Sequence, residues 1–254
     1  MSATPVRAGR VPVVLLHGWG MHGGVWADLA ARLGADVEAL TPDLPGHGVS
    51  PMVEPYDIDV LVDQIAGAAP ERCTVAGWSL GGQLALVWAR RYPQQVERLV
   101  LIGTTPRFVR APDWPHGVAA EVFAQFATDL TADAVKTLRR FLLLETRGDT
   151  QARSVARRLD DALAARPLPG REVLAKTLLW LQSTDMRTLL TEVVQPALVL
   201  HGDHDQVAPP AAGAYLASSL PHGRLEMIAG TAHAPFISAP QAVCNLMTAF
   251  CNER

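Results

Sequence analysis

The chain has 254 residues, 49% of them hydrophobic and 19% charged, enough to bury one substantial core and to carry one insertion. A formal net charge of -3 gives no global attraction to nucleic acid or to an anionic membrane, so neither is expected as a partner and any electrostatic partner must meet a local patch. Cys73, Cys244 and Cys251 are an odd number without C-x-x-C or Cys/His ligand spacing, which argues against a disulfide framework and against a zinc site.

Val11 to Leu16 is a short apolar, β-branched run behind Arg7 and Arg10, broken by Pro12 and ending at His17 and Gly18. It is too short for a signal peptide or a membrane span, and reads instead as a buried strand feeding the glycine-rich loop that follows. The simplest expectation is a cytoplasmic monomer. Strand-like and helix-like segments then alternate: a helix over Trp26 to Leu33, a strand over 36–41, a helix over Ile58 to Ala69, a strand over Cys73 to Gly77, a helix over Leu80 to Tyr92 and a strand over Arg98 to Ile102. From about Pro106 to Leu190 the alternation fails and the apolar spacing is helical throughout, which predicts an inserted helical cap. Pro106, Pro112 and Pro115 mark its start, Pro196 follows its end, and Pro167, Pro169 and Gly170 divide it. The alternation resumes with strands over Ala197 to His201 and Leu225 to Ile228 and helices over Ala211 to Leu220 and Gln241 to Cys251. Strand alternating with helix implies a mostly parallel sheet flanked by helices, an α/β fold. The expected division is a core of residues 1–106 and 190–254 with a cap of 107–189.

Gly77-Trp78-Ser79-Leu80-Gly81 matches G-x-S-x-G, at the point where a strand ends and a helix begins. Chemistry at a serine needs a sharp turn that projects Oγ into a cleft, and the flanking glycines have no Cβ to obstruct it. A serine hydroxyl is a poor nucleophile until a base takes its proton, and the base must be oriented by a carboxylate. After a nucleophile on such a turn the acid and then the histidine follow in the chain. His233 lies in a loop after the last strand and before the final helix, whereas His222 sits at the wrong end of that strand. For the acid, Asp203 and Asp205 both follow a strand end. Asp203 suits a turn that bonds its own backbone, and Asp205, further into the loop, is better placed to reach His233. The second oxyanion donor is expected from His17-Gly18-Trp19-Gly20, so the main-chain N–H groups of Trp19 and Leu80 form the predicted oxyanion hole. Asp43-Leu44-Pro45-Gly46-His47-Gly48 reads as a structural loop. None of this chemistry requires a metal or an organic cofactor.

Taken in order, HGWG, DLPGHGVS, GWSLGG, the GDHDQV loop and AHAPF resemble the α/β-hydrolase family across the whole chain. Within it, LLHGWGMHGGVW, AGWSLGGQLAL, RRFLLLETRG and AHAPFISAP are similar to the esterases that remove the methyl group from pimeloyl-[acyl-carrier protein] methyl ester in biotin synthesis. The resemblance implies Ser79 as nucleophile with Asp205 and His233 as its partners, Trp19, Ser79, Leu80 and Phe141 as substrate-contacting positions, and acyl carrier protein as the partner bearing the substrate. The chain departs from the family at its N-terminus, where the first strands are not readable. Lys136 to Arg158 holds seven Lys and Arg against two acids. Lys136 and Arg140 share a helix face, as do Arg153 and Arg157, and such a patch suits an acidic carrier and its phosphate; a plain solvated face is the alternative. Phe123, Phe126, Phe141, Leu142, Leu143 and Trp180 are candidates to line an acyl tunnel, Phe141 foremost, with the rest expected mainly to hold the cap to the core. A broad short-chain carboxylesterase, an enol-lactone or carbon–carbon bond hydrolase, and a hydrolase-fold protein that binds without turnover are the competing functions.

Overall fold

The structure, a computed structural model, describes residues 11–34 and 37–253. Residues 1–10 of the expected core and Asp36 of the expected second strand lie outside the described residues. Six strands, β1 (Val13–Leu16), β2 (Ala39–Leu40), β3 (Cys73–Trp78), β4 (Val96–Ile102), β5 (Ala197–Gly202) and β6 (Gly223–Ile228), form one sheet in the order β2-β1-β3-β4-β5-β6. Every pairing is parallel. Each parallel neighbour needs a return crossing over one face; α1 (Ala27–Leu33), α2 (Ile58–Ala68), α3 (Leu80–Arg91), α8 (Pro210–Ser219), α9 (Pro235–Ser238) and α10 (Pro240–Cys251) lie between or after the strands and cover the sheet. With both faces covered, β1, β3 and β5 are buried at every residue, which is why they read as unbroken apolar runs rather than alternating ones.

Register decides where the loops emerge. Leu16 pairs with Gly77, Trp78 with Ile102, Ile102 with Leu200 and Gly202 with Ile228, so the carboxyl ends of β1, β3, β5 and β6 come out along one edge. The chain order reverses between β1 and β3, and in open parallel sheets the crevice at that reversal is where ligands bind.

Between β4 and β5 lie α4 (Ala120–Ala132), α5 (Ala134–Glu145), α6 (Ala152–Ala164) and α7 (Arg171–Ser183). Pro167, Pro169 and Gly170 fall between α6 and α7, where the missing amide and the free glycine backbone stop a helix. The expectation of helix throughout 106–190 fails at its start. Residues 106–119 form an irregular loop held by two isolated bridges, Val109 to Val118 and Ala111 to Trp114. Pro106, Pro112 and Pro115 deny this stretch successive helical hydrogen bonds. Buried Trp114 anchors it by donating its indole N–H to Arg107 O at 2.9 Å, while Arg187 pairs with Asp113 and Asp185 and lies over the Trp114 ring. In α6, Val155, Leu159 and Leu163 recur every fourth residue on the buried face, leaving Arg153 and Arg157 outward. No described helix is long and apolar enough to cross a membrane.

Gly67 lies inside α2, and a Cβ added there would meet nothing within 4 Å. Gly67→Ala should therefore stabilise the protein by about 0.5–1 kcal/mol, since alanine loses less backbone entropy in a helix. Gly81→Ala should destabilise it, because the new Cβ would lie 2.3 Å from Leu16 O. Thermal unfolding of both variants against wild type checks the pair of signs.

Candidate active site

β3 ends at Trp78 and α3 begins at Leu80, so Ser79 alone makes the turn between them. Its φ of 55° makes it the one non-glycine residue with positive φ among the described residues, a conformation that costs on the order of 1–3 kcal/mol and persists only where its surroundings impose it. Here they do. Ser79 N–H donates to Ile102 O at 2.9 Å, its carbonyl accepts from Gly82 N–H at 3.0 Å, and Thr104 Oγ1 donates to the same carbonyl at 3.2 Å. The turn closes tightly, since a Cβ at Gly77 would sit 2.2 Å from Gly81 O.

His233 and Asp205 come from the loops after β6 and β5 and are both buried. His233 Nδ1 donates to Asp205 Oδ2 at 2.8 Å. The other carboxylate oxygen, Oδ1, accepts the N–H groups of Val207 at 2.8 Å and Ala208 at 2.9 Å. Burial opposes ionisation of Asp205, but the charge of His233 and the hydrogen bonds from His201 and His233 outweigh it and hold the carboxyl well below the usual range. With the proton fixed on Nδ1, His233 presents a lone pair at Nε2, which is buried and makes no hydrogen bond. The Trp78 indole, one residue before Ser79, donates to His233 O at 2.8 Å and ties the histidine loop to the serine turn.

His201 escaped the sequence reading. Its Nε2 donates to Ala208 O at 2.6 Å and lies 3.4 Å from Asp205 Oδ2. Burial works against its protonation, yet the hydrogen bond and charge of Asp205, with the Ala208 carbonyl, raise its pKa. As the next-to-last residue of β5 it carries no sequence signal beyond its type. Asp203 departs from expectation: instead of bonding its own turn, its Oδ1 accepts Gly230 N–H at 2.7 Å and braces the neighbouring loop. The carboxylate that bonds its own loop backbone is Asp205. The exposed His222 sits before β6, at the opposite edge of the sheet.

The loop after β1 is built around neutral imidazoles. His17 is fully buried, with Nδ1 donating to Gly18 O at 2.9 Å and Nε2 accepting Leu44 N–H at 3.0 Å; burial and the nearby His47 push its pKa well down. His47 packs edge-on at 5.1 Å, donates to Pro45 O at 3.1 Å and is lowered by burial to about 4, in keeping with a structural loop. Trp19 Nε1 donates to Leu174 O on α7 at 3.1 Å. Among the described residues, the main-chain N–H groups of Trp19 and Leu80 have no protein acceptor; Leu80 opens its helix and so has none within it.

Ser79, Trp19 and Phe141 line one apolar cavity beneath the cap. Phe141 stacks edge-on against Trp19 at 5.1 Å and against Phe126 at 5.7 Å. Phe123 and Phe126 line the cavity as well as packing, while Leu142 is buried in the core, Leu143 points to solvent, and the Trp180 indole bonds Gln83 Oε1 at 2.9 Å. Phe108, Leu144 and Leu178 are among the further wall residues that no sequence signal pointed to; Phe108 lies on the loop expected to be helical. The open space is only about 20 Å³, room for about one water, so an acyl chain enters only if the aromatic lining or the cap gives way.

On the outer face of the cap, Lys136, Arg140, Arg153 and Arg157 are exposed. α5 and α6 are joined by Arg139 to Asp160 at 3.0 Å. Arg140 pairs with Asp129 and lies over Phe126, and Arg157 is 3.9 Å from Asp161. Arg158 is structural, donating to Ile237 O and Asp28. Glu145, at the end of α5, is buried with neither carboxyl oxygen hydrogen-bonded. Burial and the charge of Asp205 raise its pKa well above the usual range.

A family model described as the alpha/beta hydrolase fold matches residues 11–240. The chain belongs to the α/β-hydrolase family. It is similar over nearly its whole length to proteins named pimeloyl-[acyl-carrier protein] methyl ester esterase. To that of Xanthomonas oryzae pv. oryzae it is 43% identical over 244 residues, 94% of each chain. To that of Aromatoleum aromaticum it is 42% identical over 237 residues, 91% of this chain and 94% of the other. Among solved structures, an esterase from Exiguobacterium antarcticum is alike in fold, with a TM-score of 0.87 at 20% identity over 98% of this chain and 94% of that one.

Because the folded-state pKa of Glu145 is raised, its contribution to stability is complete below the unfolded-state value of 4.5 and is lost as pH rises from there towards the folded value. Glu145→Gln keeps the shape and removes the titration. The melting-temperature gap between Glu145→Gln and wild type should thus widen in favour of the variant from pH 4.5 to pH 8; a constant gap would contradict the assignment.

Proposed function

We propose that this chain is a serine carboxylesterase that hydrolyses the methyl ester of pimeloyl-[acyl-carrier protein], giving the free acid on its carrier and methanol. The observation that carries the reading is the free Nε2 of His233, held by Asp205 beside a strained Ser79 turn, in a chain 43% identical over 94% of its length to esterases of that name. His233 Nε2 takes the Ser79 proton as Oγ attacks the ester carbonyl. The oxyanion is met by the N–H groups of Trp19 and Leu80, donors whose individual loss in other enzymes costs about a hundredfold or more. The imidazolium, stabilised by Asp205, returns the proton to the departing methoxide, and water repeats the sequence on the acyl-enzyme.

The apolar cavity suits an alkyl chain rather than a polar substrate, and Phe141, between Trp19 and Phe126, is the contact that guides it. Outside, Lys136, Arg140, Arg153 and Arg157 form the face for an acidic carrier, with Leu143, 63% exposed on α5, as an apolar contact among them. A broad short-chain esterase would have no use for this face, and a non-catalytic binding protein none for an activated histidine.

Ser79→Ala should lower turnover of both carrier-bound pimeloyl methyl ester and p-nitrophenyl acetate by at least about 10⁴-fold; unchanged turnover would disprove the nucleophile. The double variant Arg153→Glu, Arg157→Glu should raise KM for the carrier substrate by about tenfold or more and leave p-nitrophenyl acetate within about twofold. Equal losses on the two substrates would remove the carrier face from the account.

A further inference from the structure

The turn joining α5 to α6 lies across the histidine loop and meets it mostly at that loop's main-chain groups. Glu145 O accepts the N–H of His233 itself at 3.0 Å. Asp149, buried, spends both carboxylate oxygens: Oδ1 accepts Gln151 N–H at 2.7 Å at the start of α6, and Oδ2 accepts Ala232 N–H at 3.0 Å and Ser238 Oγ–H at 2.6 Å. Thr150 gives both its N–H and its Oγ1–H to Gly230 O at 2.9 Å, and Gln151 Nε2 donates to Ser238 O at 3.0 Å. Two consecutive amides, those of Ala232 and His233, are therefore fixed by one cap turn. Their backbone sets the direction in which the His233 ring leaves the loop.

We propose that Asp149 is a positioning residue for His233: its carboxylate clamps the cap turn onto the histidine loop, so that Nδ1 stays on Asp205 and Nε2 stays aimed at Ser79. This rests on the active-site reading above. Two features separate it from a plain helix cap. Only one oxygen serves the α6 start, and the other reaches 83 residues along the chain to the amide next to His233. Both of its donors there are buried, so removing the acceptor strands two polar groups without water. The loop then has reason to shift, and small misplacements of a catalytic group cost much more in rate than in binding. A loosened His233–Asp205 contact stabilises the imidazolium less, so the acidic limb of the rate profile moves to lower pH.

The test is the kinetics of p-nitrophenyl butyrate hydrolysis from pH 5 to 9 by wild type, Asp149→Ala, Asp149→Asn and Ser238→Ala, with melting temperatures and fluorophosphonate labelling rates. For Asp149→Ala we expect kcat to fall about tenfold or more with KM within about twofold, labelling to slow in parallel, and the acidic limb to move down. Asp149→Asn, which keeps an acceptor for Ala232, recovers most of the loss. A folded Asp149→Ala with wild-type kcat and limb overturns the proposal, as does a loss of activity that only tracks unfolding and that asparagine does not relieve. Should the alanine variant not fold, Ser238→Ala decides: a kcat reduced about threefold with a shifted limb supports the clamp, and an unmoved limb overturns it. Ser79→Ala is run beside them. Turnover that survives it removes the active-site reading itself, whereas a dead Ser79→Ala with an unaffected Asp149→Ala removes the clamp alone.

Discussion

A buried carboxylate is costly, by several kcal/mol even after relaxation, and the loops at the carboxyl edge of the sheet are organised around meeting that cost for Asp205. Two amides of its own loop, the His233 ring and the His201 ring surround its oxygens. Losing any of them would leave the buried charge less compensated. The same bond places the ring proton on Nδ1 and leaves Nε2 without a partner. Parallel pairing of β5 with β6 makes the contact possible, because residues 28 apart in sequence leave adjacent strand ends in the same direction.

The cap is part of this arrangement rather than a cover laid over it. Trp19, whose amide is one proposed oxyanion donor, is fastened through its indole to α7, and His22 through Nε2 to Ala162 of α6 at 2.7 Å. Leu138 of α5 lies where a side chain at Gly20 would otherwise go. On the other side the α5–α6 turn holds the histidine loop. With so little open space beside Ser79, any widening of that cavity strains the contacts that tie the cap, from α5 to α7, to the loops after β1 and β6. Exposed Lys136 and Arg140 lie on α5, and exposed Arg153 and Arg157 on α6.

What could be read from the residues was what chain order and backbone demand impose. The G-x-S-x-G turn, the loop histidine after the last strand and the apolar parallel strands carry local signals, since strain, buried β-branched runs and glycine positions are written within a few residues. The preference for Asp205 over Asp203 rested on reach, and in the structure Asp205 is the one bonded to His233, although Asp203 turned out to bond a neighbouring loop rather than its own. His201, Asp149 and Glu145 were invisible because their meaning lies in contacts across 4 to 89 residues that no periodicity records. The 106–119 stretch has helical apolar spacing, but the three prolines that mark the start of the insert break a helix over more than one turn, and Phe108 on it reaches the cavity wall.

The most direct measurement is a crystal structure of the protein after reaction with an alkyl fluorophosphonate. The expected adduct has a single covalent phosphorus on Ser79 Oγ, its phosphoryl oxygen within hydrogen-bond distance of the Trp19 and Leu80 amides, its alkyl group against Phe141, and His233 Nε2 facing Ser79 Oγ. A protein that stays unmodified, or an adduct whose oxygen points away from those two amides, would contradict the proposed mechanism.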